Sequence, residues 1–97
     1  MIQSFADRES ELVWRRLHVR KLDPELQRIA NRKLLILDAA ETINDLRIPP
    51  GNRLERLHGN RAGQHSIRIN DQWRICFIWT TAGPTDAEIT DYHREET

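Results

Sequence analysis

The spacing of hydrophobic residues changes near residue 53, from a helical period to the alternation of a strand. The helical period is clearest over residues 24–40, where one apolar face contains Leu26, Ile29, Ala30, Leu34 and Leu37, widened by Leu35 and Ile36. Asp23 can cap this helix, and Pro24 suits the first position because an N–H there would have no helical partner. The later IPPGN ends the helical region, since two prolines and a glycine cannot continue a helix.

Shorter elements lie on either side of this helix. Residues 2–5, IQSF, alternate as a short first strand would. Asp7 can cap a helix over residues 8–17, in which acids come early and arginines late, as the helix dipole favours. Thr42 can start one further helical turn within TIND. The first half of the chain therefore predicts a strand, two main helices and a short helical turn.

The second half of the chain predicts strands separated by turns. The predicted strands are residues 53–59, 65–69, 73–79 and 86–92, and the turns are NRAGQ and TTAGPT. Helices followed by a run of antiparallel strands are typical of an α+β fold. We therefore expect a single domain over residues 1–97, with two N-terminal helices packed on one face of a small, mainly antiparallel β-sheet.

The hairpin between the second and third predicted strands can be placed in register from its side chains. A two-residue loop would mix charged and apolar side chains on both faces, whereas a three-residue loop, residues 70–72, leaves one face apolar. That register places Arg68 opposite Arg74 on the polar face, where like charges repel. We expect either an anion between them, such as a phosphate or Glu88, or two side chains that extend into solvent.

The net charge is zero, but its distribution is uneven. Five arginines and two acids lie between residues 53 and 74, and five acids and one arginine lie between residues 85 and 97. Arginine is well shaped to bind phosphate, although the same pattern fits a solvated sheet face. The single cysteine, Cys76, excludes an internal disulfide and suits the reducing cytoplasm. Early acids argue against a signal peptide, and no apolar run reaches the roughly 20 residues that cross a bilayer.

An acid, a phenol and an imidazole follow one another at the end of the last predicted strand, as Asp91, Tyr92 and His93. In that strand Ile89 should face the core and Thr90 the arginine face, which Tyr92 then joins. Metal binding is disfavoured because no Cys or His cluster has the spacing of metal ligands. Nucleophilic catalysis is disfavoured because no serine lies in a glycine-flanked turn, and the sequence contains no glycine-rich phosphate-binding loop. Metal-free RNA cleavage needs a base, a cation and an acid. The candidates are Glu55, Asp91 or His93 as base, Arg61, Arg68 or Arg74 as cation, and Tyr92 or His93 as acid.

Two stretches of the chain resemble a known family. PPGNRLERLHGNRAGQHSIRINDQWRICFIW and the later EITDYH are similar to the HigB toxins, in the variant that also includes GraT, of the RelE/ParE superfamily of bacterial toxin-antitoxin systems. The resemblance covers most of the chain and implies a RelE-like fold. It also implies a ribosome-dependent endoribonuclease, an mRNA interferase that enters the ribosomal A site, cuts translated mRNA without a metal or cofactor, and arrests growth.

The resemblance implies roles for particular residues. The implied catalytic set is Glu55, Arg74, Asp91, Tyr92 and His93, and the candidate RNA or phosphate contacts are Arg53, Arg56, His58, Arg61 and Arg68. Glu55 stands where some family members have a catalytic histidine, and His58 is displaced from that position. The base is therefore either Glu55 or His93.

The resemblance also implies partners and leaves an alternative. The implied partner is a HigA-type helix-turn-helix antitoxin, and the complex is expected to bind operator DNA mainly through that antitoxin, without contact to a membrane. The ParE branch of the superfamily shares the fold but inhibits DNA gyrase without cleaving RNA. A non-catalytic toxin or co-repressor of the same fold is therefore the alternative, and the Asp-Tyr-His ending favours the nuclease.

Overall fold

Two helices form one layer of the computed structural model, which describes residues 1–91. Helix α1 spans Arg8–Trp14 and α2 spans Pro24–Ala39. Asp7 and Asp23 cap them as predicted, each accepting a backbone N–H of the first turn, at 2.8 and 3.2 Å. Helix α1 ends earlier than predicted, because Arg16 has a left-handed φ of 62°. The Asn31 amide also donates to the Val13 carbonyl at 3.0 Å and so binds a terminal carbonyl of α1.

Helix α2 buries the apolar stripe that its spacing predicts. Its buried residues are Leu26, Ala30, Lys33, Leu34 and Leu37, and Ile29 and Ile36 are partly buried against the core. The expectation that Leu35 widens this face is wrong, since Leu35 is 46% exposed. At about 100° per residue, position 35 lies roughly half a turn round the helix from Leu26. Lys33 occupies the buried stripe instead.

Three short 3-10 turns follow α2. They span Ile43–Arg47, Pro50–Asn52 and Gly59–Arg61. The first is the helical turn predicted at Thr42. The Asp45 carboxylate accepts the backbone N–H groups of Thr42 at 3.1 Å and Glu41 at 2.9 Å, and these bonds lower the pKa of Asp45.

Four antiparallel strands form the sheet, in the order β1-β2-β3-β4. They are β1 (Glu55–Arg56), β2 (His65–Arg68), β3 (Trp73–Thr80) and β4 (Gly83–Asp91). The register predicted for the β2–β3 hairpin is confirmed, with Ile67 opposite Ile75 and Arg68 opposite Arg74. Asn70 shapes the loop, because its side-chain oxygen accepts the backbone N–H of Gln72 at 2.9 Å and that of Trp73, the first residue of β3, at 2.8 Å.

The two outer strands differ in length from the prediction. Strand β1 is much shorter than residues 53–59, because Arg53 has a left-handed φ of 45° and the chain turns again at residues 59–61. Strand β4 begins at Gly83 instead of residue 86, so the predicted turn was too long. The Thr80 hydroxyl donates to the Gly83 carbonyl at 2.7 Å and closes this hairpin tightly.

The N-terminal segment pairs with β4 but forms less than the strand predicted over residues 2–5. Phe5 makes an isolated parallel bridge with Ala87. Backbone hydrogen bonds from Gln3 to Pro84 and from Ala87 to Ser4, at 2.8 and 3.1 Å, extend this contact. The segment therefore lies along the outer edge of β4.

Both helices pack on one face of the sheet, which confirms the predicted α+β architecture. The buried sheet residues on that face are Ile67, Ile69, Ile75, Phe77, Ala87 and Ile89. The opposite face carries polar side chains, including the buried Ser66, Arg74 and Thr90. Across residues 1–91 the helices are too short or too polar to cross a membrane.

Candidate active site

Arg74 is the buried cation of the polar sheet face. It is 7% exposed, and its Nε donates to Ser66 Oγ at 2.6 Å. Its Nη2 donates to the Arg53 carbonyl at 2.5 Å and to the Ser66 carbonyl at 3.3 Å. These bonds draw the guanidinium across β2, toward the residues that begin β1. Because three acceptors fix a planar guanidinium, its orientation is defined by the fold.

Arg68 lies opposite Arg74 but binds a different group. Its Nη2 forms an ion pair with the Asp71 carboxylate in the hairpin loop. The acid proposed to lie between the two arginines, Glu88, instead pairs with Arg61 at 3.1 Å. Glu88 therefore does not lie between the arginines, because the Ser66 and Arg53 acceptors draw Arg74 away from β4 while the loop carboxylate holds Arg68. The alternative that both side chains extend into solvent is also wrong, since Arg74 is buried, and a phosphate between them stays a prediction.

Glu55 places a carboxylate beside Arg74. It lies opposite Ser66 in the β1–β2 register, and its Oε1 is 4.0 Å from Arg74 Nη2. The Glu55 side chain is 44% exposed, but Oε1 is buried and accepts no hydrogen bond from residues 1–91. The arrangement is a loose ion pair in which the buried carboxylate oxygen faces the cation while the Glu55 side chain stays partly exposed.

The Arg61 guanidinium is held by hydrogen bonds to two other side chains. Its Nη1 donates to Gln64 Oε1 at 3.0 Å and to Glu88 Oε1 at 3.1 Å. Both partners of the Arg61–Glu88 pair are mostly buried, with side chains 16% and 29% exposed. This pair ties the turn before β2 to β4, so Arg61 would have to leave Glu88 to bind a phosphate.

Three of the predicted RNA contacts lie together at the β1 edge. Arg53, Arg56 and His58 are exposed and surround Glu55 in the chain. Arg56 lies opposite His65, which stacks on Phe77 on the helix side of the sheet. Burial, and after it the charge of Arg56, lowers the pKa of His65. Arg56 therefore points to the helix side of β1, away from the Arg74–Glu55 pair, whereas Arg53 contacts Arg74 through its backbone carbonyl.

The end of β4 brings two further residues to this region. Thr90 lies opposite Arg74 on the polar face, which confirms its predicted position, and it is buried. Asp91 lies opposite Trp73, and its Oδ2 accepts from Gln72 Nε2 at 2.8 Å. Tyr92 and His93, both predicted to be catalytic, lie outside the described residues.

Sequence reasoning assigned no role to Ser66, Lys33 or Asn52. Ser66 accepts from Arg74, and Lys33 Nζ donates to the Asn52 side-chain oxygen at 2.6 Å. The signal for Lys33 was present in the chain, because Leu26, Ala30, Lys33 and Leu37 recur with the spacing of one helical stripe. A lysine within such a stripe predicts a buried partner.

The chain is similar to known proteins over most of its length. The model of the HigB-like toxin family, the RelE-like toxin of the type II toxin-antitoxin system HigB, matches residues 3–93. Toxin HigB-1 of Vibrio cholerae serotype O1 is 62% identical over 48 residues, covering 50% of each chain. An uncharacterized protein of Haemophilus influenzae is 42% identical over 57 residues, covering 59% of this chain and 56% of that protein. The chain thus spans about half the length of these curated relatives.

Proposed function

The chain belongs to the HigB-like toxins of type II toxin-antitoxin systems, and from this membership we propose that it is a ribosome-dependent endoribonuclease that cleaves translated mRNA without a metal ion. The observation that carries the proposal is the Arg74 guanidinium held 4.0 Å from the Glu55 carboxylate on the polar sheet face. A toxin of this kind has an antitoxin partner. We propose a HigA-type helix-turn-helix antitoxin that also makes most contacts to operator DNA, with the toxin acting in the cytoplasm.

The proposed reaction moves one proton onto the protein and one off it. A base takes the proton of the RNA 2′-hydroxyl, the 2′-oxygen bonds to the adjacent phosphorus, and the bond from phosphorus to the 5′-oxygen breaks. An acid protonates that 5′-oxygen, which leaves a 2′,3′-cyclic phosphate and a 5′-hydroxyl. Negative charge builds up on the phosphoryl oxygens in between, and a fixed guanidinium stabilises it. Arg74 supplies such a cation because its orientation is set by Ser66 and Arg53.

Glu55 is our candidate for the base, and the family pattern supports Tyr92 or His93 as the acid. The Glu55 side chain is 44% exposed, so RNA can reach its carboxylate, while the buried Oε1 faces Arg74. A carboxylate that RNA can reach can act as a general base. His93 is the other candidate base, and Asp91, held by Gln72, lies at the same end of β4.

The exposed cations at the β1 edge support RNA binding along this edge of the sheet. Arg53, Arg56 and His58 provide phosphate contacts that do not depend on sequence. Arg68 can join them at small cost, because its partner Asp71 is almost fully exposed and surface pairs contribute about 0–1 kcal/mol. Arg61 is a weaker candidate, since it is held by the partly buried Glu88.

Mapping of mRNA 5′ ends on translating ribosomes tests the proposal. We expect wild-type protein to produce cuts within translated codons, and Arg74→Lys to produce the same cuts about a hundredfold more slowly. Arg32→Lys is the matched control, because Arg32 is an exposed arginine on the helix layer. Uncut mRNA together with gyrase-dependent DNA breaks would overturn the proposal in favour of a gyrase inhibitor. Binding of each variant to the antitoxin shows that it is folded.

A further inference from the structure

A lysine is buried in the apolar stripe of α2, where an aliphatic residue is expected. Lys33 is 9% exposed, and its Nζ donates to Asn52 Oδ1 at 2.6 Å. Burial, and then the charges of Arg32 and Arg68, lowers the pKa of Lys33. An ammonium buried against a neutral amide and near two other cations has a higher desolvation free energy than an aliphatic side chain at the same position. We therefore infer that the Lys33–Asn52 hydrogen bond has a role other than core packing.

Asn52 is fully buried and joins several segments of the chain. Its Nδ2 donates to the Leu46 carbonyl at 3.1 Å and to the Ile48 carbonyl at 3.3 Å, and its Oδ1 accepts from Lys33. Its backbone N–H also donates to the Pro49 carbonyl at 2.9 Å. The side chain thus fixes the turn that precedes β1, and Lys33 anchors that turn to α2.

The residue after this anchor holds the proposed catalytic cation. Arg53 has a left-handed backbone, with φ 45° and ψ 57°, which points its carbonyl at Arg74 Nη2. Glu55 begins β1 two residues later and lies beside the same guanidinium. The path runs from Lys33 through Asn52 and the Arg53 carbonyl to Arg74. A change in the Asn52 backbone would move both the acceptor of Arg74 and the start of β1.

We propose that Lys33 and Asn52 are positioning residues that hold the Arg53 carbonyl and Glu55 where they orient Arg74 for RNA cleavage. The inference rests on the proposed function, because it concerns the geometry of that site. Misplacement of a catalytic group by about 1 Å can cost a hundredfold in rate. We therefore expect the loss of the Lys33 amine to reduce the cleavage step by about tenfold or more, with ribosome binding unchanged.

A double-mutant cycle on the single-turnover rate of mRNA cleavage tests this inference. The four proteins are wild type, Lys33→Met, Arg74→Lys and the double variant, because Met keeps the apolar stem and removes the donor. If Lys33 acts through Arg74, Lys33→Met slows the wild type about tenfold or more but slows the Arg74→Lys protein less than about twofold. Arg32→Met, which removes the neighbouring charge from an exposed position, should leave both rates unchanged.

Two conservative variants separate positioning from general destabilisation. Lys33→Arg keeps a donor and should retain most of the rate. Asn52→Asp keeps the acceptor for Lys33, loses both Nδ2 hydrogen bonds to the turn and should behave like Lys33→Met. An equal loss from Lys33→Met in both backgrounds, or full activity of Asn52→Asp, would overturn the inference. If Lys33→Met does not fold, Asn52→Asp takes its place in the cycle. An Arg74→Lys protein with wild-type activity would instead overturn the proposed function.

Discussion

Arg68 and Arg74 lie directly opposite each other across β2 and β3, yet their guanidiniums bind different groups. Arg74 turns toward β1, where Ser66 and the Arg53 carbonyl accept its hydrogen bonds, and Arg68 turns to Asp71 in the loop. Cross-strand like charges are normally unfavourable. Here the repulsion is reduced because each cation has its own acceptors on a different side of the pair.

Ser66→Ala should lower the free energy of unfolding by about 1–3 kcal/mol, because it removes the Oγ acceptor 2.6 Å from the Nε of a buried cation. The cavity left by one oxygen is small, so most of the loss comes from the hydrogen bond. Urea denaturation measures the difference. Thr81→Ala, at an exposed position in the β3–β4 turn, is the control and should change stability by less than about 0.5 kcal/mol. Equal values for the two variants would contradict the prediction.

Asp71→Asn should strengthen ribosome binding while changing the free energy of unfolding by less than about 1 kcal/mol. Asp71 is exposed in its ion pair, and removal of its charge leaves Arg68 available to a phosphate. We expect a lower KM for ribosomes in the cleavage assay, and a difference that shrinks as salt screens the charges. Glu11→Gln removes an equal charge from the surface of α1. A similar fall in KM for that control would indicate a net-charge effect instead.

The stability of the protein should fall below about pH 6.5 through His65. Burial and Arg56 lower the pKa of His65 in the folded state, so the unfolded chain binds this proton more readily. The stabilisation is therefore present above the unfolded pKa and is lost as pH falls through the folded one. Thermal unfolding followed against pH measures it, and His65→Gln should flatten the curve. Arg56→Gln should reduce the slope only in part, because burial is the larger cause; a slope that disappears would contradict this ranking.

The predictions from sequence succeeded where a periodic pattern determines the structure. The start of α2 follows from Asp23 and Pro24, whose effects are local to the chain. The β2–β3 register follows from alternation, because a shift of one residue would place Ile67 and Ile75 in solvent. That register, with the alternation of the last strand, predicted that Arg74 shares the polar face with Ser66, Arg68 and Thr90.

The partners of the charged residues were not predictable in the same way. The backbone at Arg53 turns left-handed, although glycine is the usual residue there, and only the folded structure shows its carbonyl beside Arg74. The pairing of Glu88 with Arg61 depends on a 3-10 turn that the alternation pattern did not contain. A long side chain can bind any of several acceptors within its reach, and the strand register alone does not determine which acceptor it binds.

Glu55→Gln should lower kcat for mRNA cleavage by about a hundredfold or more if Glu55 takes the 2′-hydroxyl proton. Gln keeps the shape and a polar contact toward Arg74 but cannot accept a proton, so KM should change little. The rise of kcat with pH that comes from ionisation of the base should also disappear from the single-turnover profile.

Two further variants make this test specific. His93→Ala should slow cleavage but keep the rise of kcat at low pH, because an acid that protonates the 5′-oxygen affects the high-pH side of the profile. Glu41→Gln removes an exposed carboxylate outside the site and should leave the profile unchanged. The opposite assignment has its own signature: Glu55→Gln would retain the low-pH rise and His93→Ala would lose it. Because the Glu55 side chain is 44% exposed and its carboxylate lies 4.0 Å from Arg74, we expect Glu55→Gln to lose the low-pH rise and His93→Ala to keep it.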